Sequence, residues 1–314
     1  MDTVPLGQTS LRTSRLAYGC WRVTGQCELP DHAAEHASQG RAGILAALET
    51  GYTLFDNADV YGNGEAERLF GKVLKEVAGM RERIRIVTKA GVRKAGSPAT
   101  DDPYRYDSSS GHIIWSCEQS LKRLGIETID VYLIHRPDYL CDLEQLGEAF
   151  VRLRQAGKVR EFGVSNFAPH QVASFQKVCS MPFAVHQVEI SLERRDRFHD
   201  GTLDQCASLR ISPMAWSPLA AGRLATADPI PLDDPDHARR LGVRETLDQI
   251  ARDHNTTRPV VALAWLLKHP ANIIPIVGST NPARLKASAA AADIHLSREE
   301  WYRLMEAAVG QRLP

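Results

Sequence analysis

The chain has 314 residues, of which 43% are hydrophobic and 24% charged, as is ordinary for a soluble globular protein. Its 38 basic and 38 acidic residues give a formal net charge of zero, which argues against nucleic acid or an anionic membrane as partner. No run approaches the roughly 20 apolar residues of a membrane span, and the N-terminus lacks a signal-peptide core, so we expect a cytoplasmic protein.

Short apolar runs rich in Ile and Val recur along the chain. Because they are mostly apolar throughout, they are typical of strands buried on both faces of a parallel sheet. The predicted strands are, in chain order, Leu16–Gly19, Thr53–Phe55, Ile84–Thr88, Ile129–Ile134, Val159–Val164, Ala184–Val188, Ser212–Trp216 and Ile273–Val277. Eight is the number that a closed (β/α)8 TIM barrel requires, so this α/β fold is predicted.

Apolar residues at three- and four-residue spacing predict helices between these strands. The predicted helices are Gly43–Thr50, Glu65–Val77, His112–Leu124, Leu143–Gln155, Pro169–Val178, Pro259–Lys268 and Pro282–Ala292. Segments Val4–Leu6 and Leu11–Thr13 predict an N-terminal hairpin on the barrel floor, and Ser297–Ala308 predicts an extra C-terminal helix. Asp228–Asp236 and Val92–Asp107 are interpreted as loops. Since no linker divides the chain, residues 1–314 are expected to form one barrel domain.

Polar or aromatic side chains stand at the C-terminal ends of nearly all the predicted strands. They are Asp56, Lys89, His135, Ser165, Asn166, Gln187, Trp216 and Ser217, with Gly278, Ser279 and Thr280 after the eighth strand. In a barrel these ends converge on one mouth, which is where barrel enzymes carry out their chemistry. Each residue alone has a simpler interpretation, as a helix cap, a core aromatic or a solvated lysine, so the prediction depends on the whole set.

Three of these strand-end residues, together with the nearby Tyr61, suggest general acid chemistry on a carbonyl. Tyr61 follows Asp56 by five residues, in a loop that contains two glycines. A free phenol has a pKa of about 10, and a nearby ammonium such as that of Lys89 is expected to lower it. Asp56 would hold Lys89 charged, and His135 would orient a substrate oxygen. This set lacks a reductant, and no GxGxxG motif supports a Rossmann dinucleotide site.

The same residues lie in strings that resemble the aldo-keto reductase family. FDNADVYGNGEAERLFGKVLK (Phe55–Lys75) resembles its Asp–Tyr signature, IVTKAG (Ile86–Gly91) its lysine strand, and LIHRPD (Leu133–Asp138) its histidine strand. GKVREFGVSNF (Gly157–Phe167) is similar to its fifth-strand motif. The likeness covers essentially the whole chain, and the HRPD string is most similar to a bacterial branch of oxidoreductases with uncharacterised substrates.

The resemblance implies a catalytic tetrad and an extended nicotinamide cofactor across the mouth. The tetrad would be Asp56, Tyr61, Lys89 and His135, with Tyr61 as the acid. Ser165, Asn166 and Gln187 would bind the carboxamide, and Trp216 would stack on the nicotinamide ring. The pyrophosphate would be cradled by Ser217, Leu219, Gly222 and Arg223.

Recognition of the adenosine end is expected in the string GSTNPARLKAS, at Gly278, Ser279, Thr280 and Arg284. The string departs from the family pattern, since Gly278 stands where many animal members have Lys. A guanidinium suits a 2′-phosphate, and a helix beginning at Pro282 favours anions, so NADPH is predicted rather than NADH.

The substrate would be a small carbonyl compound, an aldehyde, a ketone or a sugar-like carbonyl, selected by three loops. These loops are Trp21–Arg41, Val92–Asp107 and Arg194–Thr202. Trp21, Tyr104 and Tyr106 are candidates for an apolar wall, and Arg22, Arg105 and Arg136 for contact with an anionic substrate; each Arg is equally an ordinary surface charge.

Alternatives remain at this point. The chain is either a reductase, a barrel that binds NADP(H) with little turnover and acts as a redox-sensing partner, or a barrel with isomerase or phosphate-sugar chemistry. A monomer or weak homodimer is expected. No metal is expected either, because the cysteines fit no zinc spacing and His32 and His36 lie in a segment interpreted as a loop. The cysteines, expected to be reduced thiols, are Cys20, Cys27, Cys117, Cys141, Cys179 and Cys206.

Overall fold

The strands of the protein are short and mostly buried in this computed structural model, which describes residues 1–25 and 33–314. In that part of the chain they are β1 (Thr3–Pro5), β2 (Arg12–Ser14), β3 (Ala17–Gly19), β4 (Leu54–Asp56), β5 (Arg85–Ala90), β6 (Val92–Arg93), β7 (Arg105–Tyr106), β8 (Ile129–Ile134), β9 (Val159–Ser165), β10 (Phe183–Glu189), β11 (Ser212–Trp216) and β12 (Ile274–Val277). Each of the eight apolar runs corresponds to one of these strands, within two residues at either end.

Eight of these strands close into a parallel barrel. Its order is β3–β4–β5–β8–β9–β10–β11–β12, and β12 pairs back to β3 through Ile276 and Ala17. The predicted (β/α)8 TIM barrel is therefore confirmed. The segment Val92–Asp107, interpreted from the sequence as a loop, contains a small antiparallel pair of β6 with β7.

Helices surround the barrel on the outside. Over residues 1–25 and 33–314 they are α1 (Ala33–Thr50), α2 (Glu65–Glu76), α3 (Met80–Arg83), α4 (Ser110–Leu124), α5 (Leu143–Gln155), α6 (Pro169–Val178), α7 (Thr202–Leu209), α8 (His237–Asp253), α9 (Arg258–Leu267), α10 (Pro282–Ala289) and α11 (Arg298–Val309). The sequence prediction was wrong in starting the first helix at Gly43 and in leaving out α3, α7 and α8. His36 accordingly lies in α1 rather than in a loop, whereas His32 and Cys27 lie outside the described residues.

The N-terminal hairpin of β1 and β2 closes the floor of the barrel, as predicted. Leu6 and Leu11, on either side of its turn, are buried in one cluster with inward-facing strand residues such as Val131 and Met214. The turn at Gly7 approaches the barrel so closely that an added Cβ would lie 2.7 Å from the carbonyl oxygen of Ala184. The opposite end, where the strands finish, is thereby left as the open mouth.

The extra C-terminal helix, α11, is also confirmed. At its N-terminus the Ser297 hydroxyl accepts a hydrogen bond from the Glu300 amide, and the Glu300 carboxylate accepts one from the Ser297 amide. This reciprocal pair is a capping box. The helix packs on the barrel exterior, where Trp301 stacks on Trp265 of α9 at a centroid distance of 5.2 Å. In the described part of the chain, no helix combines the length and the apolarity needed to cross a membrane.

Candidate active site

Lys89 forms the centre of a buried polar cluster at the barrel mouth. Its ammonium lies 2.8 Å from Asp56 Oδ1, donates to the backbone carbonyl of Asn57 at 2.7 Å, and donates to the Tyr61 hydroxyl at 3.0 Å. Lys89 is fully buried, so its charge depends on these oxygens instead of water. Three of the four predicted catalytic residues thus form one hydrogen-bonded unit.

The loop after β4 brings Tyr61 to this unit. Its backbone is tied to β5 by bonds from the Asn57 amide to the Val87 carbonyl and from the Asp59 amide to the Lys89 carbonyl. Gly62 follows with φ +54°, a conformation that L side chains rarely adopt, and an added Cβ there would lie 2.6 Å from Thr24 Oγ1. The tight turn returns the chain to the start of α2 and leaves the phenol directed at Lys89.

Burial raises the pKa of Tyr61 to about 12, although the ammonium of Lys89 acts to lower it. The expectation that Lys89 brings this pKa below its ordinary value was therefore wrong, because desolvation of the phenolate outweighs the neighbouring charge. For Lys89, burial opposes the charged form but Asp56 and Tyr61 favour it more strongly, and the pKa is raised above its ordinary value. Tyr61 is thus protonated and Lys89 charged at neutral pH.

His135, directly after β8, faces Tyr61 edge-on, with ring centroids 5.9 Å apart. Burial lowers its pKa well below the ordinary value, and the charges of Lys89 and Arg136 lower it further. The ring is therefore neutral at pH 7. Its Nδ1 is buried and has no hydrogen-bond partner within the described residues, so the imidazole is available to a ligand at the mouth.

The residues predicted to bind the carboxamide do meet at the mouth. Asn166, held in the left-handed region at φ 63°, donates to Ser165 Oγ at 2.7 Å and accepts at 2.9 Å from the indole nitrogen of Trp216. Gln187 donates to Asp56 Oδ1 at 2.8 Å, which connects it to the Lys89 unit instead. The hydrogen bond that the Trp216 indole donates to Asn166 fixes the plane of the indole ring.

The loop after β11 contains the residues predicted to cradle a pyrophosphate. Ser217 and Gly222 both have positive φ, and Leu219 packs against the core. The guanidinium of Arg223 is already engaged, since it lies 2.7 Å from the carboxylate of Glu193. In this arrangement Arg223 ties the loop to the segment after β10 and does not stand free for a phosphate.

The segment after β12 presents Gly278, Ser279 and Thr280 and then α10. Asn281 caps this helix by accepting hydrogen bonds from the amides of Ala283 and Arg284. Its first free amides are therefore partly satisfied, which weakens the expected anion site at the helix start. The Arg284 side chain is exposed, and no acidic group in residues 1–25 or 33–314 forms an ion pair with it.

A nicotinamide dinucleotide fits this set of side chains. Trp216 offers a flat aromatic face, and its orientation is fixed by Asn166, whose side chain also donates to the backbone carbonyl of His135 at 3.3 Å. The buried Nδ1 of His135 has no partner among the described residues, so this ring keeps an unused hydrogen-bonding capacity. Arg284, in the first turn of α10 after β12, provides a guanidinium that forms no ion pair within the described residues and can bind a phosphate.

The residues predicted for the substrate pocket form an exposed aromatic and basic rim. Arg136 lies over the ring of Trp216 at 5.8 Å, and its charge also acts on Tyr104. Arg22 instead lies over the ring of Trp21 at 5.4 Å. Of the loop Trp21–Arg41 that holds these two residues, positions 26–32 lie outside the described residues. The rim therefore carries one arginine, Arg136, next to the tetrad.

The β6–β7 pair extends this rim. Tyr106 contacts Tyr104 and Tyr139 at centroid distances of 6.0 and 6.5 Å, and Tyr139 is 89% exposed. Tyr139, missed by the sequence analysis, is signalled only by being an aromatic residue just after the HRPD string. The Arg105 guanidinium is engaged by Asp102 at 3.2 Å and by the backbone carbonyls of Ser97 and Pro103.

The described residues contain no group of three or more His, Cys, Asp or Glu side chains that could hold a metal ion. The cysteines in that part of the chain are free thiols; Cys141 is partly exposed, and the buried ones are Cys20, Cys117, Cys179 and Cys206.

Comparison with known proteins agrees with this geometry. The model of the aldo/keto reductase family matches residues 15–309. The chain is 37% identical to 6-dehydroglucose reductase of Agrobacterium fabrum, with 96% of this chain and 97% of the relative covered, and 39% identical to the uncharacterised oxidoreductase YcsN of Bacillus subtilis over 100% of both. The solved glycerol dehydrogenase of Gluconobacter oxydans superimposes with a TM-score of 0.84 at 26% identity, covering 100% of this chain and 98% of that one.

Proposed function

Because the chain belongs to the aldo/keto reductase family and is an oxidoreductase, we propose that it reduces an aldehyde or ketone to an alcohol with NADPH as the reductant. The observation that carries the proposal is the position of Lys89, whose ammonium bonds both the Tyr61 hydroxyl and the Asp56 carboxylate in a buried site. Such a site can donate a proton and then stabilise the anion that remains.

In this proposal a bound reduced nicotinamide supplies the hydride to the carbonyl carbon. Tyr61 donates its proton to the carbonyl oxygen. With a pKa of about 12 it holds that proton until the oxygen becomes basic, and the ammonium 3.0 Å away then stabilises the phenolate. Asp56 keeps Lys89 charged and fixes its position.

His135 would orient the carbonyl oxygen. A neutral imidazole donates one hydrogen bond without adding a second positive charge beside Lys89. Its edge-on approach to the Tyr61 ring places both groups on the same side of the mouth, so that one oxygen atom can meet both.

The cofactor would lie across the mouth from Trp216 to Arg284. Trp216 would stack on the nicotinamide ring, and Ser165, Asn166 and Gln187 would bind its carboxamide. The loop containing Ser217, Leu219, Gly222 and Arg223 would enclose the pyrophosphate, and Gly278, Ser279, Thr280 and Arg284 the adenosine end. The unpaired guanidinium of Arg284 favours a 2′-phosphate, hence NADPH over NADH.

For the substrate we propose a polar, ring-bearing or sugar-like carbonyl. The similarity to a 6-dehydroglucose reductase supports this class, as does the exposed tyrosine rim of Tyr104 and Tyr106 beside Arg136. Aromatic faces bind the apolar faces of sugar rings, and phenol groups and guanidinium groups bind hydroxyls. A single-domain, monomeric or weakly dimeric cytoplasmic enzyme remains the prediction from the sequence.

The direct test compares the wild type with Tyr61→Phe. Binding of NADPH is followed by Trp fluorescence, and turnover of a reactive aromatic aldehyde by absorbance of the cofactor. We expect both proteins to bind NADPH and only the wild type to turn over. Binding without turnover in the wild type would favour a redox-sensing binding protein, and no binding of NADPH or NADH would overturn the proposed function.

A further inference from the structure

A second polar cluster lies behind the catalytic unit, between the barrel and its helices. Successive side chains of a strand point to opposite faces of the sheet. Lys89 points to the mouth, so the preceding residue, Thr88, points outward to the helices. The Thr88 hydroxyl donates at 2.6 Å to Oε1 of Glu67 on α2. The other carboxylate oxygen of Glu67 accepts at 2.7 Å from Arg123 Nε on α4. Thr88 and Glu67 are fully buried.

This cluster joins the two segments that position the proton donor and its partner. Glu67 lies in the first turn of α2, which begins at Glu65, immediately after the loop that holds Tyr61. Thr88 is adjacent to Lys89. A shift of α2 against β5 would therefore change the distance between Tyr61 and Lys89, and the bond between Glu67 and Thr88 opposes that shift.

Arg123 supports the same loop from the side of α4. Its side chain packs so closely on Gly64 that an added Cβ there would lie 2.7 Å from Arg123 Cδ. It also donates to Ser120 Oγ at 3.1 Å, which fixes the guanidinium in its own helix. The loop containing Tyr61 is thus held between Lys89 on one side and the cluster on the other.

The energetics favour a positioning role over a purely stabilising one. Taking a carboxylate and a guanidinium out of water costs about as much as their attraction returns, so apolar residues of similar size stabilise a core equally well. What the ion pair adds is directional: each oxygen of Glu67 has a defined donor on a different element. Such fixed geometry is useful here because the Tyr61 hydroxyl and the Lys89 ammonium must stay within hydrogen-bonding distance.

We propose that Glu67, acting through Thr88 and supported by Arg123, is a positioning residue that keeps the Tyr61 hydroxyl within bonding distance of the Lys89 ammonium. It touches neither substrate nor cofactor. The inference rests on the proposed function, since it matters to catalysis only if Tyr61 is the proton donor.

The test uses Thr88→Val, which removes only the hydroxyl bond to Glu67, with Thr88→Ser as the matched control that retains it. We expect Thr88→Val to lower kcat about tenfold, the loss typical of a displaced acid, with the Kd for NADPH within about twofold of wild type. Thr88→Ser should retain wild-type kcat. An unchanged kcat in Thr88→Val, or a parallel loss of NADPH binding, would overturn the proposal.

A second variant addresses folding. Glu67→Leu combined with Arg123→Leu removes both charges together and leaves no unpaired buried ion, so it should fold and show the same loss of kcat with retained NADPH binding. If neither variant folds, the cluster serves stability and the proposal fails. Turnover of the aldehyde by the wild type separates failure of the proposed function from failure of the positioning role. If the wild type does not turn over, the proposed function itself is wrong. If it does, the variants test the role of Glu67 alone.

Discussion

The Lys89 ammonium, which is fully buried, lies 3.0 Å from the hydroxyl of the partly buried Tyr61. This pair differs from a surface ion pair, because the positive charge of Lys89 meets a negative charge on Tyr61 only when the phenol loses its proton. The contact therefore predicts that Lys89 contributes to the rate rather than to binding.

Replacing Lys89 by Met should lower kcat by about 10²–10⁴-fold, since proton transfer would leave an unstabilised phenolate in a buried site. The change is measured by steady-state reduction of an aldehyde at several pH values. NADPH affinity, followed by fluorescence, should stay close to wild type. Lys72→Met, a substitution in α2 away from the mouth, serves as the control and should leave both quantities unchanged; a Lys89→Met enzyme with full kcat would contradict the role of the pair.

Arg284→Ala tests the cofactor preference. Losing a charge-assisted bond to a phosphate is expected to weaken NADPH binding by about 10- to 100-fold, while NADH, which lacks the 2′-phosphate, keeps its affinity. Both affinities are measured by fluorescence titration. Lys286→Ala, a neighbouring exposed cation on α10, is the matched control. Unchanged NADPH affinity in Arg284→Ala would remove the basis for preferring NADPH.

Tyr104→Ala tests the substrate rim. The ring lies 6.0 Å from that of Tyr106 and within the field of Arg136, so it should contact the distant part of a ring-bearing substrate. We expect kcat/KM to fall about tenfold for a sugar-ring aldehyde and to stay unchanged for a short-chain aldehyde. Tyr302→Ala on α11, which removes a comparably exposed phenol, is the control. An equal loss of kcat/KM for both aldehydes would show that Tyr104 does not determine substrate specificity.

The barrel could be predicted from the sequence because a strand buried on both faces leaves a mostly apolar run. Ile129–Ile134 is buried throughout and was delimited correctly. Helix α8 was missed because few of its residues are apolar. Its sequence, HARRLGVRETLDQIARD, is mostly polar, and its buried residues are confined to Val243, Leu247, Ile250 and Ala251. Asp236 occupies the N-cap position, but its carboxylate pairs with Arg239 and makes no side-chain capping bond.

The meeting of Asp56, Tyr61, Lys89 and His135 at the mouth could be predicted because these residues fall at strand ends or in the loop that follows one. The pKa of Tyr61 could not, since the sequence shows the neighbouring ammonium but not the burial that outweighs it. The contacts of Glu67 with Thr88 and Arg123 were equally hidden. Those partners lie 21 and 56 residues away in the chain, and no spacing rule links an α2 carboxylate to a hydroxyl on β5.

Asp59, two residues before Tyr61, makes stability depend on pH. Burial and the nearby Glu67 carboxylate raise its pKa to about 8, although Arg123 acts to lower it. In the unfolded chain the same carboxyl has a pKa of about 3.9. The folded state therefore binds more protons than the unfolded state between these values, and Asp59's contribution to stability is lost as pH rises from about 4 through 8.

Asp59→Asn, which cannot ionise, should remove this dependence. The free energy of unfolding of the variant relative to wild type is expected to rise between pH 5 and pH 9 by at least about 1.4 kcal/mol, the equivalent of one pKa unit. Urea unfolding at both pH values measures it. Asp233→Asn, at an exposed position in the loop before α8, is the control and should show a constant difference. A constant difference for Asp59→Asn as well would mean that its carboxyl is ionised in the folded protein at neutral pH, with Arg123 offsetting the cost of its burial.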